Sequence, residues 1–537
     1  MSKNAEMVRI FNDIADLLEL QGEDRFKPAA YRRAARSIES LGESLERVAS
    51  RGELGAIPGV GPALKEKIEE FLATGKVPYY ERLSSEVPSG IREIMRVPGV
   101  GPKTARRFML ELEVETPAEL ADAIREGRLN GLKGFGERKV ALLREGLSAL
   151  DAKGPERRTP VLLAWELSER VAAALRQASP GTEVTVAGSL RRGRETIGDI
   201  DLLVASPEGA RIFETFGRLP GVEEVRLQGE TKMTVIFAPG TQVDLRVVPP
   251  ESLGAALQYF TGSKDHNIHL RTLARDRGLK VNEYGVYRGE ELVAGRTEKE
   301  VYAAMGLPEI PPELREDRGE FEAAMEGRLP ALVEEGALRG DLHVHPTEAP
   351  ATLPTDWAAA ARRLGLEYVG VVLSPELAGG GSAEALRARW RAAFGPLPVY
   401  FGVERSLGAS SPLPEGVEYW VARAGPDAPP SHDLGGPDPL FLAHLPPPGS
   451  EMRGRWISWA RSQEVGLEVN PFPEGEGLDS GEVRGVSGTE GALYVSATAT
   501  RPEELDRLRL ALKLARRGWA TPATVANVGR PRVGRKR

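Results

Sequence analysis

Two short stretches in the middle of the chain decide its fold: Gly188-Ser189-Leu190-Arg191-Arg192-Gly193 and Gly198-Asp199-Ile200-Asp201-Leu202-Leu203. The second is strand-like, and its two aspartates are two residues apart, so both carboxylates leave the same face of the strand. A third aspartate, Asp244, lies in another apolar, strand-like segment at 242–248. Three clustered carboxylates are costly without cations, and their hard oxygen ligands favour Mg²⁺ or Mn²⁺. The stretches therefore predict a metal-dependent site on a β-sheet.

The first stretch supplies groups that bind phosphate. Gly188 and Ser189 fall at a predicted strand-to-helix turn, where a backbone N–H and a hydroxyl can hold phosphate oxygens. Arg192 adds a cation that can counter the charge of a triphosphate. The alternative is a set of solvated carboxylates at a strand end, but the combination of these features is specific and favours a nucleotide site.

Apolar periodicity elsewhere predicts a multidomain α+β protein. Residues 1–150 have helical spacing, and an α/β segment with a mixed sheet follows. The predicted strands of that sheet lie at 183–187, 200–205, 234–237 and 242–248. Residues 252–318 are mainly helical, with a hairpin predicted at 280–292, and a linker helix is predicted at 319–338. From residue 340, short apolar strands alternate with helices, which is typical of a parallel β/α barrel.

A short motif occurs three times in the helical region. Its copies are Ile57-Pro58-Gly59-Val60-Gly61, Val97-Pro98-Gly99-Val100-Gly101 and the looser Leu132-Lys133-Gly134-Phe135-Gly136. Each precedes an amphipathic helix with Lys or Arg, which suits a helix-hairpin-helix whose backbone N–H groups approach DNA phosphates without reading sequence. A simple helix–helix turn is the alternative for one copy, and three copies within about 80 residues disfavour it. The predicted DNA contacts are Gly59, Gly61, Gly99, Gly101, Lys103, Gly134 and Gly136.

A third feature follows the carboxylates: Tyr259-Phe260-Thr261-Gly262-Ser263 and then a helix with Asn267 and Arg271. Asn267 and Arg271 are four residues apart and share one helix face. An aromatic pair at a glycine-containing break beside that face can hold a sugar and a base edge. An aromatic pair near a turn is equally typical of a hydrophobic core, and both interpretations stay open for this segment taken alone.

Composition excludes several classes of protein. At 537 residues the chain is long enough for three or four domains. Without cysteine it has no disulfide, cysteine zinc site or thiol nucleophile. No apolar run approaches the ~20 residues of a membrane span, and no secretory signal is evident, so we expect a cytoplasmic protein that is not bound to a membrane. The net charge of −7 means that nucleic acid must bind through local patches or backbone contacts. The five cations of residues 530–537 add either weak phosphate affinity or only solubility, and both interpretations stay open.

On these residues, the chain resembles the prokaryotic family X DNA polymerases that carry a C-terminal PHP (polymerase and histidinol phosphatase) domain. The resemblance covers nearly the whole chain and implies a monomeric, template-directed polymerase that fills short gaps during DNA repair. The implied partners are gapped or primer–template DNA and a dNTP. The implied domains are a helical lyase-like domain at 1–80, a fingers-like domain at 81–155, a nucleotidyltransferase palm at 156–250, a thumb-like nucleotide-selection domain at 251–318, a linker at 319–338 and a PHP-type barrel at 339–537.

The resemblance also implies roles for single residues. Asp199, Asp201 and Asp244 would hold two ions, Mg²⁺ or Mn²⁺, with Asp244 nearest the primer 3′ hydroxyl. The positions that match triphosphate contacts are Arg158, Gly188, Ser189, Arg192 and Gly198. The positions that match sugar, base and template contacts are Tyr259, Phe260, Gly262, Asn267 and Arg271. Gln242 departs from the pattern, because some relatives carry an arginine there near the catalytic carboxylate, and we expect proton transfer to be tuned differently.

The first hairpin resembles the lyase domain of repair polymerases in this family. There a lysine forms a Schiff base with an abasic deoxyribose, and Lys67 matches the position of that nucleophile. Lys27, Tyr31 and Arg32 match its 5′-phosphate pocket, whereas Ala63 stands where the family has a supporting lysine. A lysine on a DNA-binding surface is the alternative for Lys67, and the sequence leaves both open.

The C-terminal domain begins with Asp341-Leu342-His343-Val344-His345, which places three potential metal ligands on one strand face. By the resemblance, Glu404 and His444 join His343 and His345 as ligand positions. Three further ligand positions of the family hold Leu373-Ser374, Gly425 and the segment 495–500, which contains neither Asp nor His. This loss removes charge that a metal cluster and water activation require. We expect a degenerate PHP barrel with at most a partial metal site and a structural or DNA-contacting role.

Two other functional classes stay open. A non-templated nucleotidyltransferase would share the Gly-Ser and Asp-x-Asp motifs, although the aromatic segment and the hairpins argue against it. A metal-dependent nuclease or phosphoesterase in the barrel would use the polymerase half for targeting, although the lost ligands argue against it. A purely non-catalytic scaffold for DNA ends is disfavoured, because all three polymerase carboxylates are present.

Overall fold

The computed structural model describes residues 3–529 apart from 40, 42–44, 96, 98, 133, 153–157, 181, 207–208, 347–352, 375–377, 379–380, 408–412, 426–428, 430–438, 449 and 473–474. The basic segment 530–537 lies outside the described residues. The chain divides into two compact units, Met1–Arg157 and Arg158–Arg537.

The first unit is helical throughout its described residues. The first helix has apolar residues at three- and four-residue spacing, and two of them, Phe11 and Ile14, are completely buried. Its helices are α1 (Lys3–Gln21), α2 (Phe26–Glu39), α3 (Leu45–Ser50), α4 (Pro62–Thr74), α5 (Pro78–Ser85), α6 (Ser89–Ile94), α7 (Pro102–Leu112), α8 (Pro117–Arg125) and α9 (Glu137–Ala152), with 3₁₀ turns at Leu54–Ala56 and Arg128–Gly131.

The three glycine-containing copies form the same turn. In each, the N–H of the residue between the glycines (Val60, Val100 or Phe135) donates to the carbonyl three residues earlier, at 3.0, 2.9 and 3.1 Å. The first glycine of each copy has φ of 84°, 84° or 90°, a conformation that side chains disfavour, and a helix (α4, α7 or α9) starts directly after the second. The sequence repeat is therefore a structural repeat, its loose third copy included.

The second unit opens with a mixed sheet. Its strands are β1 (Thr159–Pro160), β2 (Glu183–Val186), β3 (Thr196–Ile197), β4 (Asp199–Ala205), β5 (Val222–Gln228), β6 (Lys232–Phe237) and β7 (Thr241–Val248), and its helices are α10 (Val161–Ala178), α11 (Gly188–Arg191) and α12 (Gly209–Gly217). Five strands follow the order β2-β4-β7-β6-β5, with β4 and β7 parallel and the other neighbours antiparallel, and β1 pairs with β3. The four predicted strands match β2, β4, β6 and β7. Strand β5 was missed because its residues are mostly exposed and show no buried alternation.

A small domain with its own core follows. It contains α13 (Leu253–Thr261), α14 (Lys264–Asp276), α15 (Glu298–Ala304) and α16 (Glu320–Met325), with an antiparallel sheet of β8 (Lys280–Asn282), β9 (Gly285–Arg288) and β10 (Glu291–Ala294). The predicted hairpin therefore has a third strand. The helix predicted over 319–338 was wrong beyond α16. Val333 is completely buried and its N–H donates to the carbonyl of Ala520 at 3.0 Å, so packing rather than helix propensity sets this segment.

The remainder is a parallel β/α barrel, which confirms the predicted class. Seven strands hydrogen-bond in chain order: β11 (Gly340–Val344), β12 (Tyr368–Leu373), β13 (Val399–Ser406), β14 (Tyr419–Arg423), β15 (Phe441–Ala443), β16 (Gly466–Val469) and β17 (Leu493–Val495). The helices described around them are α17 (Pro354–Arg363), α18 (Gly381–Phe394), α19 (Glu451–Ser462), α20 (Ser480–Val486) and α21 (Leu508–Arg517). One apolar core runs from the mixed sheet into this barrel.

One buried side chain joins the two outer barrel strands. Asn527 Nδ2 donates to the carbonyls of Gly340 on β11 and Val495 on β17, both at 2.7 Å, and its Oδ1 accepts the Val495 N–H at 3.0 Å. The side chain thus supplies the hydrogen bonds that nearly close the barrel. In the described part of the chain, no helix has the length and apolar character to cross a membrane.

Candidate active site

The three predicted carboxylates lie side by side on neighbouring parallel strands. Asp201 on β4 is in register with Asp244 on β7, and Asp199 is in register with Gln242. Because residues two apart share a strand face, the three carboxylates form one cluster. Burial first, and then repulsion by its neighbours, raise the pKa of Asp201 to about 7, and the same causes raise the pKa of Asp199. These oxygen donors fit hard divalent cations, which would relieve the repulsion.

Groups on the adjacent strand hold Asp244. Thr234 Oγ1 donates to Asp244 Oδ1 at 2.7 Å, Gln242 Nε2 donates to the same oxygen at 3.3 Å, and Lys232 pairs with Asp244 Oδ2. Sequence reasoning missed Lys232 and Thr234. They are two residues apart on β6, so the period of that strand could have placed both on the face of the carboxylates.

The glycine of the phosphate-binding turn lies directly against the carboxylates. A Cβ on Gly188 would fall 2.3 Å from Asp201 Oδ2, and the backbone of Gly188 has φ of +62°. Ser189 lies in the single turn of α11. Arg158 donates to the side chain and carbonyl of Thr196 at 2.8 and 2.7 Å, which places its guanidinium beside Gly198. Gly188 and Arg158 thus lie beside the start of β4, which carries Asp199 and Asp201.

Arg192 brings the aromatic segment to this turn. Its Nη1 donates to the carbonyl of Thr261 at 2.5 Å and lies 3.3 Å from where a Cβ of Gly262 would be. Asn267 Nδ2 in turn donates to the carbonyl of Tyr259 at 2.7 Å. The phosphate and sugar segments are therefore contiguous in space.

Two other predicted residues of the segment have different surroundings. The ring of Phe260 stacks with the Arg246 guanidinium at 4.2 Å and meets the ring of Tyr259 edge to face at 5.1 Å. Arg271 is exposed and donates to the carbonyl of Asn267 at 3.1 Å. The aromatic pair is therefore half-buried packing as well as a candidate sugar contact.

Sequence reasoning missed the glutamates that pair with Arg191 and Arg192. Arg192 Nε donates to Glu316 at 2.8 Å, and Arg191 pairs with Glu298. Both glutamates lie more than 100 residues along the chain, where no local pattern marks them.

In the helical unit, Tyr79 gathers three predicted lyase residues. Lys67 Nζ lies 4.8 Å from the centre of the Tyr79 ring, and Tyr31 stacks on that ring at 6.3 Å. Lys27 bonds to Glu23 at 3.1 Å, and this bond and the nearby Tyr79 raise the pKa of its ammonium group. Tyr79 itself carried no signal in the sequence.

Two predicted DNA contacts share an acidic partner. Arg32 donates to Glu19 at 2.9 Å and to Asp16 at 2.7 Å, and Lys103 Nζ lies 3.6 Å from Glu19. Lys103 remains largely exposed. A DNA phosphate at this place would therefore compete with Glu19 for both cations.

The barrel holds a cluster of histidines and glutamates. Among the described residues, His343, His345 and Glu404 place one ligand atom each within 4.8 Å of one another, which could hold a metal ion. Glu404 also accepts hydrogen bonds from His343 at 2.9 Å and His444 at 2.5 Å. The side chains at the four predicted positions therefore lie close together, with the three histidines around Glu404. Sequence reasoning missed Glu468, which pairs with the other ring nitrogen of His343.

The positions of the lost ligands have internal partners instead. Ser496 Oγ donates to Glu468 at 2.6 Å, and the Gly425 carbonyl accepts from Trp456 Nε1 at 3.0 Å. Asp341 accepts the N–H groups of His343 and Ala497, both at 2.9 Å, so main-chain donors occupy both of its oxygens.

Family models match four parts of the chain. They are a helix-hairpin-helix domain at residues 2–77, a SAM-like helix-hairpin-helix tandem at 91–149, the DNA polymerase beta palm at 158–221 and the DNA polymerase beta thumb at 256–316. The palm match contains Asp199 and Asp201, and the thumb match contains the aromatic segment.

Whole-chain comparison finds similar polymerases. The chain is 29% identical to the DNA polymerase/3′-5′ exonuclease PolX of Bacillus subtilis, with 97% of both chains aligned. It is 27% identical to DNA polymerase lambda of Rattus norvegicus over 56% of this chain and 54% of the relative. For DNA polymerase lambda of Arabidopsis thaliana the identity is 26%, over 58% of this chain and 62% of the relative.

Proposed function

The chain belongs to the family X DNA polymerases, and we propose that it fills short gaps in DNA by template-directed addition of dNTPs to a primer end. The observation that carries the proposal is the register of Asp201 with Asp244 beside the turn at Gly188. Family X polymerases use divalent metal ions, and we propose two ions here, Mg²⁺ or Mn²⁺. The helical hairpins support DNA as the substrate.

The residues of the chain divide the work of the reaction. Asp199, Asp201 and Asp244 would hold the ions, which when bound activate the primer hydroxyl and neutralise charge on the phosphates. Thr234 fixes the orientation of Asp244 through a buried hydrogen bond. The turn at Gly188 and Ser189 offers main-chain and hydroxyl donors to the triphosphate, and the segment from Tyr259 to Asn267 limits the space for the sugar.

A second activity, removal of a 5′-deoxyribose phosphate, is favoured by one specific arrangement. Lys67 lies over the Tyr79 ring beside Tyr31, and Lys27 approaches the same tyrosine. An amine next to aromatic and cationic groups suits attack on the aldehyde of an abasic sugar. We propose Lys67 as the nucleophile.

Extension of a 5′-phosphorylated, one-nucleotide-gapped DNA tests the polymerase proposal. Each dNTP is offered singly, with Mg²⁺ or Mn²⁺, to the wild type, to Asp199→Ala and to Glu183→Gln, an exposed carboxylate on β2 of the same sheet. We expect only the complementary nucleotide to be added, and a loss of roughly a thousandfold or more in Asp199→Ala alone, because metal binding supplies several kcal/mol.

Other outcomes of this experiment contradict the proposal. Addition without regard to the template would make the protein a terminal or small-molecule nucleotidyltransferase. No addition with either metal would make it a DNA-binding scaffold. Equal activity of Asp199→Ala and the wild type would place the reaction elsewhere. Sedimentation of the wild type with and without DNA tests our further expectation of a monomer.

A further inference from the structure

The last barrel helix reaches the phosphate-binding turn of the polymerase site. Arg517, at the end of α21, donates from Nη1 to Glu316 Oε1 at 2.7 Å and to the carbonyl of Arg192 at 3.2 Å. On the same helix, Lys513 packs so closely on the turn that a Cβ on Gly193 would lie 3.0 Å from its Cγ. The barrel therefore contributes side chains to the surroundings of the proposed triphosphate site.

Glu316 faces three arginines, two of which bond to the same carboxylate oxygen. Arg192 Nε and Arg517 Nη1 bond to the same oxygen, Oε1, at 2.8 and 2.7 Å, and Arg194 lies 3.5 Å from Oε2. The side chains of Arg517, Glu316 and Arg192 are 3%, 10% and 12% exposed, whereas that of Arg194 is 37% exposed. Burial alone would raise the pKa of the Glu316 carboxyl, but Arg517, Arg192 and Arg194 together lower it to about 2.

This sharing has a consequence for nucleotide binding. Arg192 Nε and Nη1 already donate to Glu316 and to the carbonyl of Thr261, so a triphosphate contact through these atoms requires Arg192 to turn away from Glu316. A buried carboxylate that loses its partner is strongly unfavourable, whereas one that keeps an arginine is not. Because Arg517 stays on Glu316 Oε1, Arg192 can move to the phosphate without leaving a buried, unpaired charge.

Contacts on both sides of the junction between the barrel and the polymerase domains hold Arg517 in this place. Its Nε lies 3.7 Å from Glu195, which also accepts hydrogen bonds from the hydroxyl and the N–H of Ser480 in the barrel at 2.6 and 3.2 Å. The neighbouring Arg516 pairs with Glu313 at 2.9 Å and donates to the carbonyl of Val333 at 2.8 Å. Arg517 is thus fixed to both sides of the junction.

We propose that the barrel, whose own metal site is depleted, serves the polymerase by supplying Arg517 as a positioning residue that keeps Glu316 paired and so releases Arg192 for the incoming nucleotide. The inference rests on the proposed function. It assigns the barrel a part in nucleotide binding.

The test compares steady-state gap filling by the full-length wild type, Arg517→Gln and Arg509→Gln. Arg509 lies on the same helix, is exposed and pairs only distantly with Glu335 at 3.9 Å. We expect Arg517→Gln to raise the KM for the complementary dNTP about tenfold, because Glu316 then retains Arg192 as its main partner. The kcat and the Kd for gapped DNA should change by less than about twofold, and Arg509→Gln should match the wild type.

A double variant separates this role from general destabilisation. In Glu316→Gln/Arg517→Gln no buried carboxylate holds Arg192, so the KM should return to that of Glu316→Gln, a coupling that lost stability would not produce. If Arg517→Gln alone does not fold, the KM of this double variant is compared with the KM of Glu316→Gln, and that comparison still tests the inference. An unchanged KM in Arg517→Gln, no rescue by Glu316→Gln, or an equal effect of Arg509→Gln would overturn the inference. Failure of the wild type to extend the primer would instead refute the proposed function.

Discussion

Lys232 Nζ lies 2.6 Å from Asp244 Oδ2, so the most buried carboxylate of the cluster already has a cationic partner. The lysine comes from β6, next to β7 in the sheet, and not from position 242, where some relatives have an arginine. Gln242 contributes only a hydrogen bond of 3.3 Å. The cation near Asp244 therefore comes from the neighbouring strand β6.

This ion pair predicts a change in metal requirement. An ion that binds Asp244 Oδ2 must displace the ammonium group, so Lys232→Met should lower the Mg²⁺ concentration for half-maximal gap filling. The expected shift is roughly 1.4- to fivefold, since a partly exposed pair is worth about 0.2–1 kcal/mol. The titration is made at pH 8.5, above the raised pKa of Asp201, about 7, so that this carboxylate is ionised in the wild type. A higher Mg²⁺ requirement in Lys232→Met would contradict this prediction, and Lys280→Met, an exposed lysine on β8, is the control.

The closure of the barrel predicts a large effect of one asparagine. Asn527→Ala leaves the carbonyls of Gly340 and Val495 without their buried donor, and we expect a loss of about 2–4 kcal/mol in the free energy of unfolding. Denaturant unfolding followed by tryptophan fluorescence measures it, because the tryptophans all lie in the second unit. Gln463→Ala, exposed at the end of α19, should be neutral. Equal stability of both variants would show that the strands close without Asn527.

The pairing of Glu298 predicts loss of stability in acid. Burial would raise the pKa of Glu298, but Arg315 and Arg191 overcome this and lower it from 4.5 to about 2. A lowered pKa stabilises the fold above about pH 4.5, and this contribution disappears as the pH falls toward 2. The contribution of Glu298 to the free energy of unfolding that is lost in this way is about 3 kcal/mol. Unfolding free energies between pH 6 and 3 should therefore fall less steeply in Glu298→Gln than in the wild type, whereas Glu290→Gln, at an exposed turn, should keep the slope. Parallel curves for Glu298→Gln and the wild type would disprove the linkage.

The lyase proposal predicts a covalent product. Borohydride reduction in the presence of DNA with a 5′-abasic end should trap a protein–DNA adduct through Lys67, and Lys67→Ala should reduce trapping at least tenfold, because a Schiff base needs the amine. Lys65→Ala is the matched control, since Lys65 lies on the same helix and pairs with Glu69. Trapping that persists in Lys67→Ala would assign the nucleophile to another amine.

The depleted barrel cluster predicts little nuclease activity. Three further ligand positions of the family hold Leu373-Ser374, Gly425 and the segment 495–500, which contains neither Asp nor His, so groups that would hold metal ions and activate water are missing. The full-length protein should leave a 3′ single-stranded end intact with Mn²⁺, at a rate at least a hundredfold below gap filling. Degradation that is abolished by His343→Gln, with gap filling retained, would instead establish a working nuclease in the barrel.

Local sequence patterns predicted much of the fold and most of the candidate site. Asp199 and Asp201 share a face because a strand has a period of two, and the hairpin turns follow from glycines that tolerate positive φ. Strands β2, β4, β6 and β7 were predicted nearly at their observed bounds. Strand β5 was missed because an exposed edge strand has no apolar face to mark it. The helix expected after α16 is absent because Val333 is buried and its N–H bonds to Ala520 rather than to the preceding turn.

The sequence by itself determined the polymerase chemistry, since the carboxylates, the phosphate-binding turn and the aromatic segment are each local motifs with a physical requirement for those residues. Only the tertiary structure decided how these groups are neutralised and held. Lys232 pairs with Asp244, Glu316 and Arg517 contact Arg192, and Asn527 joins two barrel strands. The partners in these contacts are 12 to more than 300 residues apart along the chain. Pairings of this kind leave no periodicity in the chain, because they depend on which strands and helices pack together after the core has formed.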